Sequence, residues 1–357
     1  MDHITDAMEM VEHLTHPAFC VREGIVVKVN QAAANRMLEP GTSVSALLKT
    51  GADEYAEFSE GCLYLTLRLA GQDLGFSVTR KNGFDLFHLE QDAENAELQA
   101  MALAARELRE PLASIMITAD HLFPAVDESS DPDTIAHIAR INRGLFQMLR
   151  LISNMSDAGR YASGSLSLEI RNVTVLLDEI FAKASDLVER SGLTLDYVGL
   201  SEPIYSVCNP ELLERAILNI LSNALKFTPQ GGCIRASLSH RGAKLYLSIA
   251  DNGSGIGDAT RCNLFSRYAR EPGVEDGRFG IGLGFVMIRS AAQLHGGTVL
   301  VDQPQNTGTR VTMTLAIRPG SGDQVRSPLL KVDYAGERDH GLLELSDVLA
   351  AEFYTPQ

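Results

Sequence analysis

The chain has 357 residues, of which 45% are hydrophobic and 22% charged, a globular composition with room for two or three domains. With 46 acidic and 31 basic residues its net charge is −15, so it has no bulk attraction for nucleic acid or anionic lipid. It has no apolar run long enough to span a bilayer, and the opening MDHITDAMEM is acidic and lacks an apolar centre, so it does not read as a signal peptide. The five cysteines, Cys20, Cys62, Cys208, Cys233 and Cys262, are scattered with no CxxC pair. Free thiols in a cytoplasmic setting are expected, rather than disulfides or a zinc site.

Residues 17 to 38 hold two short β-rich runs flanking Glu23-Gly24, a hairpin turn signal. An Ala-rich helical stretch follows Asn30. Then CLYLTLRLA, DLGFSVTRK and FDLFHLE alternate apolar and polar residues and are separated by Gly-Gln-Asp and Asn-Gly turns. That pattern predicts an antiparallel meander. Mixed strands around one short helix make residues 1–90 a small α+β domain. The strand–turn–strand–Asn–helix order resembles a compact PAS sensor domain. A ligand sensor and a domain that only dimerises both fit it.

From residue 91 the period changes. Leu98, Met101, Ala105, Leu108, Leu112, Ile115, Ala119 and Leu122 step by threes and fours, as do Ile138, Ile141, Leu145, Met148, Ile152 and Met155. Each is the a/d stripe of a coiled-coil helix. FPAVDESSDP breaks the two apart. Residues 91–160 therefore predict an antiparallel helical hairpin whose second copy would complete a four-helix bundle, making a homodimer. RYASGSLSLE at 160–169 reads as a linker.

Residues 165–318 alternate helical runs (VLLDEIFAKASDLVERS, PELLERAILNILSNALKF) with strand-like runs (GCIRASLSHR, AKLYLSIAD, TRVTMTLAI). Three motifs here carry chemistry. In NILSNALKFTP, Asn219 and Asn223 share a helix face and Lys226 follows. An amide oxygen ligates Mg²⁺, an amide N–H donates to phosphate, and a lysine neutralises phosphate. In IADNGSGIG, Asp251 ends a strand and Gly253, Gly255 and Gly257 follow. A carboxylate there accepts from an exocyclic amino group, and glycines permit close backbone approach to a flat ligand. In RFGIGLGFVMI, Gly280, Gly282 and Gly284 lead into an apolar helix whose N-terminus suits an anion.

In this order, with Gly308-Thr309, these motifs closely resemble the GHKL ATP-binding superfamily and, within it, the catalytic domain of sensor histidine kinases. The resemblance covers roughly residues 98 to 318 and implies an α/β sandwich that binds ATP and Mg²⁺. It makes Asn219, Asn223 and Lys226 the N-box, with Asn223 on the metal. Asp251, Gly253, Gly255 and Gly257 become the adenine-side box, Phe265 the F-box, Gly280, Gly282 and Gly284 the second glycine box, and Thr309 a further ATP contact. Residues 258 to 279 would be the lid. The hydrolysing members place a glutamate at the first N-box position. Here Asn219 stands there, so water lacks its general base. Glu214 lies about 140° round the helix from that face.

The family's acceptor box reads roughly His-Glu-Leu-Arg-Thr-Pro-Leu. This chain has Arg106, Glu107, Leu108, Arg109, Glu110, Pro111 and Leu112. Glu107 and Pro111 match, and Pro111 is expected to kink the helix. Arg106 replaces the acceptor, and a guanidinium stays protonated with no lone pair to offer phosphate. Glu110 replaces a small polar residue tied to response-regulator dephosphorylation and would repel a phosphoaspartate.

The expected protein is thus a sensor-histidine-kinase-like member of a two-component phosphorelay. It would bind Mg·ATP, form a homodimer, and act by conformation or on a partner, either a response regulator or a heterodimer kinase partner. Two alternatives stand beside it. One is an active kinase that uses His121, His137 or a partner's His, Ser or Thr. The other is a PAS-based dimer scaffold. Nucleic acid and membrane are not expected partners. Residues 319–357 form a tail whose end, HGLLELSDVLAAEFY, fits an amphipathic docking segment or a loose extension equally well.

Overall fold

A computed structural model describes residues 11–81, 83–90, 94–123, 131–162, 167–257, 264–265, 282–304, 308–318 and 338–355. The N-terminal part opens with β1 (Ala18–Arg22) and β2 (Ile25–Val29), joined where Glu23 and Gly24 both take positive φ, as a tight right-twisting hairpin requires. Asn30 caps α1 (Gln31–Ala34): its Oδ1 accepts from the Ala33 N–H, and its Nδ2 donates to the carbonyls of Leu14 and His16. One buried side chain so ties the incoming chain to the helix start. After α2 (Ala52–Glu57), strands β3 (Cys62–Leu69), β4 (Gln72–Lys81) and β5 (Phe84–Leu89) form the antiparallel meander. The order across this half-sheet is β2-β1-β5-β4-β3. Phe19, Phe76 and Phe87 fill its core, with Phe19 stacked on Phe87 at 4.7 Å. Each fully buried ring contributes about 1.5–3 kcal/mol.

Helices α3 (Glu94–Leu122) and α4 (Pro132–Ala162) form the hairpin, and α3 continues as helix through Pro111. Only half of each stripe is used within the chain. Ala105, Leu112 and Ala119 are buried against Leu145, Leu149 and Ile152, while Leu108, Ile115, Leu122, Ile141 and Met148 stay exposed. The expected linker is shorter than predicted: Arg160–Ala162 continue α4, and Glu169 already opens β6 (Glu169–Asn172).

The third part contains α5 (Val173–Arg190), β7 (Thr194–Val198), β8 (Tyr205–Cys208), α6 (Pro210–Phe227), β9 (Cys233–Arg241), β10 (Lys244–Asp251), α7 (Gly284–Leu294), β11 (Val299–Asp302) and β12 (Arg310–Ala316). Strands run β11-β12-β10-β9-β7, with β7 parallel to β9 and the other pairs antiparallel. β9 alternates buried and exposed residues, the mark of a sheet covered on one face. Leu177, Ile180 and Phe181 of α5, Leu213 and Ile217 of α6 and Ile288 of α7 make that cover.

Two features were not expected. The edge strand β3 pairs with β11 (Tyr64 with Val299, Leu63 with Leu300, Cys62 with Val301), so the N-terminal and C-terminal half-sheets become one ten-stranded sheet. Pairing satisfies two edges that would otherwise present open N–H and C=O groups. The end of the tail is docked, not loose. α8 (His340–Glu344) and a 3₁₀ turn (Ala351–Tyr354) wedge between α4, α5 and α6, with Leu343, Leu345 and Leu349 fully buried.

Candidate functional site

The site is built around α6. Asn209 caps it through the Leu212 N–H at 2.8 Å, Pro210 occupies the first turn, and Leu212, Leu213, Ala216, Ile217, Ile220 and Leu221 bury its apolar face. Asn219 interrupts that face and is itself buried. Its Oδ1 accepts from Arg150 Nη2 at 3.2 Å and its Nδ2 donates to the Arg215 carbonyl at 2.8 Å. Its amide is thus held by protein partners where it borders the cleft. Asn223, one turn on, is half-buried and lines the open cleft, as does Lys226.

The opposite wall starts at the end of β10. Asp251 Oδ1 accepts from the N–H groups of Gly253 at 2.8 Å and Thr309 at 3.1 Å, and neither bond uses Oδ2. Burial pushes this carboxyl above its ordinary pKa, against those N–H groups. The glycine requirement is strict nearby. A Cβ on Gly253 would lie 2.4 Å from the Phe227 carbonyl oxygen, and one on Gly308 1.9 Å from the Asp251 carbonyl oxygen. Without side chains, the β10 end, the α6 end and the Gly308 turn close on one another.

The cleft brings together Asn219, Asn223, Lys226, Asp251, Gly255, Gly282, Gly284 and Thr309. Three other predicted residues lie elsewhere. Gly253 and Gly257 do not line it, and Phe265 is fully buried beside Tyr64 and Phe285 with ring centroids at 5.6 and 5.8 Å. Phe265 thus supports the wall from behind. Gly280 and, apart from Leu264 and Phe265, the predicted lid lie outside the described residues. Arg106, Glu107, Glu110, His121 and His137 are exposed on the hairpin, and none lines the cleft. Glu214, expected off the N-box face, faces the tail and pairs with His340 at 2.7 Å.

Sequence reasoning missed the hairpin and tail contributions. Gln147, Arg150, Leu151 and Asn154 of α4 line one side of the cleft, and Asp347 of the tail lines it beside Lys226. A buried ionic cluster supports them. Arg215 pairs with Glu344 at 2.8 Å and with Asp157, and Asn154 Oδ1 accepts from Arg215 at 2.6 Å. Arg215 lies 129 positions from Glu344 and 61 from Asn154, and no local pattern announces such pairings. Among the described residues no His/Cys/Asp/Glu cluster of metal-binding size is present, and no helix is long and apolar enough to cross a membrane. A metal here would rely on amide oxygens and on the ligand's own oxygens.

Residues 208–319 match the family model described as histidine kinase-, DNA gyrase B- and HSP90-like ATPase. The hybrid signal transduction histidine kinase D of Dictyostelium discoideum is 26% identical over 258 residues, 70% of this chain and 17% of the relative. The adaptive-response sensory kinase SasA of Gloeothece citriformis (strain PCC 7424) is 29% identical over 252 residues, 65% of this chain and 62% of the relative. The chain thus spans less than two thirds of the length of either. A solved structure of full-length ShkA in complex with AMPPNP aligns over 62% of this chain and 46% of that one, at 20% identity and a TM-score of 0.49.

Proposed function

We propose that the chain is a cytoplasmic protein of the sensor histidine kinase family, supported by its match to the histidine kinase-like ATPase model and its kinase relatives, that binds Mg·ATP, dimerises through its hairpin and does not phosphorylate itself at the usual position. The observation that carries this reading is one contrast. The cleft gathers the amides, lysine, carboxylate and glycines suited to a nucleotide, while the acceptor position holds Arg106. Asp251 offers an acceptor for the adenine amino group. Asn223 suits a Mg²⁺ ion, Lys226 suits phosphate, and the α7 N-terminus at Gly284 adds backbone N–H groups. The ion would neutralise phosphate charge for transfer. Asn219 puts no carboxylate at the first N-box position, so water activation is not favoured.

In this reading residues 1–90 are a PAS-like sensor, supported by the β2-β1-β5-β4-β3 order and the capped α1. Output goes to a response regulator or a heterodimer kinase partner, or is conformational. Pure protein incubated with γ-labelled ATP and Mg²⁺ is expected to take up no acid-labile label, and Arg106→His is expected to gain it. Acid-labile label on the wild type would overturn the proposal and point to another acceptor, such as exposed His121.

A further inference from the structure

Arg150 belongs to the hairpin by sequence but to the cleft by position. It is 5% exposed and lines the pocket opposite the α6 amides. Its guanidinium is divided among four partners. Nε donates to Glu344 Oε2 at 3.2 Å, Nη1 to Asp347 Oδ2 at 2.6 Å, and Nη2 to Asn219 Oδ1 at 3.2 Å and Ser222 Oγ at 3.4 Å. The same Asp347 oxygen lies 3.7 Å from Lys226 Nζ. A single tail carboxylate oxygen thus sits between an arginine and the N-box lysine, both inside the cleft.

That is an arrangement suited to a phosphate oxygen. Arginine takes carboxylate and phosphate through the same planar N–H groups, and lysine takes either as a point charge. The two acidic residues of the tail differ in setting. Glu344 is fully buried and clamped by Arg215 and Arg150, so it anchors the segment. Asp347 is partly exposed at 15% of its side chain and lines the cleft, so it is the one that can exchange with a ligand. If Asp347 withdrew without replacement, the nearly buried Arg150 would lose its shortest ionic partner, a costly loss for a desolvated charge. A polyanion in the cleft removes that cost. A neutral nucleoside does not.

Building on the reading that the cleft binds a nucleotide, we propose that Arg150 and Asp347 belong to its polyphosphate subsite. Arg150 is a phosphate-binding residue supplied by the hairpin. Asp347 is a carboxylate that holds the phosphate position until a nucleoside di- or triphosphate displaces it. The tail therefore tunes the cleft by phosphate charge and leaves the adenine end alone.

The test measures binding of ATP and of adenosine to the full chain by calorimetry, with Mg²⁺ and again with EDTA, for wild type, Asp347→Asn and Arg150→Ala. Asp347→Asn keeps the shape and removes the charge. It is expected to tighten ATP by roughly tenfold, the scale of one partly screened ion pair, and to leave adenosine unchanged. Arg150→Ala is expected to weaken ATP by roughly tenfold or more, again sparing adenosine. Should Arg150→Ala fail to fold, the Asp347→Asn result decides alone. Equal or weaker ATP binding by Asp347→Asn overturns the inference. So does a loss seen with Mg²⁺ but not with EDTA, which would make Asp347 a metal ligand. If ATP and adenosine bind none of the proteins, the nucleotide reading itself falls, and this inference with it.

Discussion

His295 is held neutral by two bonds that need opposite roles from its ring. Nδ1 lies 2.6 Å from the Ala291 carbonyl, which accepts from it, and Nε2 accepts from the Asn209 N–H at 2.9 Å. Because Asn209 caps α6, the ring joins the end of α7 to the start of the helix that carries Asn219 and Asn223. Burial, opposed by the Ala291 carbonyl, pushes its pKa down from 6.5 to about 4. Above pH 6.5 the ring is neutral whether the chain is folded or not, and stability is complete. As pH falls from 6.5 toward 4, the unfolded chain takes up a proton that the folded chain refuses, so stability drops. A shift of this size corresponds to about 3 kcal/mol. Denaturant unfolding at pH 7.5 and 4.5 should show that loss, and His295→Gln should flatten much of it. An unchanged slope in the variant would place the acid sensitivity elsewhere. At this scale the sequence was legible where a residue acts through its neighbours in the chain. Asn219, Asn223, Lys226 and Asp251, which line the cleft, stand in local motifs that can be read, and Thr309 came from the resemblance. Arg150 and Asp347 were not, because a surface-type residue in a helix or tail gives no sign that folding will bring it to a cleft.

The helical hairpin shows how an element can be read correctly and still be only half satisfied. The alternating stripe on α3 splits by position: Ala105, Leu112 and Ala119 pack inward, and Leu108, Ile115 and Leu122 remain 49%, 52% and 69% exposed. A row of large aliphatic residues two turns apart is an unusual surface for a lone molecule. A second hairpin would bury it at about 25 cal/mol per Å² of apolar surface. Ile115→Asp places a charge at the centre of that row without disturbing an in-chain contact of the buried set. Sedimentation equilibrium should show a dimer for the wild type and a monomer for Ile115→Asp, with helix content retained. A dimeric variant would mean that another face mediates association. Among the other elements, long periodic helices such as α5 and α6 were visible in the sequence, as were strands β9, β10 and β12. Short strands escaped: β6 and β8 span four residues each, too few for a period to show, and they form only by pairing with each other. The tail was ambiguous because Leu343, Leu345 and Leu349 fit a docked or a loose segment until the α4–α5–α6 groove is present.

At the scale of the molecule, the β3–β11 pairing makes the N-terminal sheet an extension of the C-terminal α/β sheet. The joint is more than main-chain bonds. Tyr64 Oη donates to Gln293 on α7 at 3.1 Å, buried Arg289 meets Glu90 at 3.3 Å, and Lys244 holds Asp53 and Glu54 at 3.0 and 2.9 Å. Tyr64 also touches Phe265, which touches the cleft residue Phe285. Nothing local in the sequence signals such a joint, since either strand reads as an ordinary edge of its own sheet. Gly61 is the residue on which it turns. Its φ is +105°, and an added Cβ would lie 2.2 Å from the Val301 carbonyl oxygen. The obstacle is backbone, which cannot rotate away as a side chain would. Gly61→Ala therefore meets both a strained φ, costing about 1–3 kcal/mol, and a collision that only separation of the strands relieves. Each half-sheet keeps its own core, with Phe19, Phe76 and Phe87 on one side and Leu177, Ile217 and Ile249 on the other, so both are expected to stay folded. Hydrogen exchange should then quicken at Cys62–Tyr64 and Val299–Val301 while the amides of β5 and β10 remain protected. A single cooperative thermal transition should divide into two. Unchanged protection at the β3–β11 amides in Gly61→Ala would show that the strands tolerate a methyl group there and that the joint does not depend on this glycine.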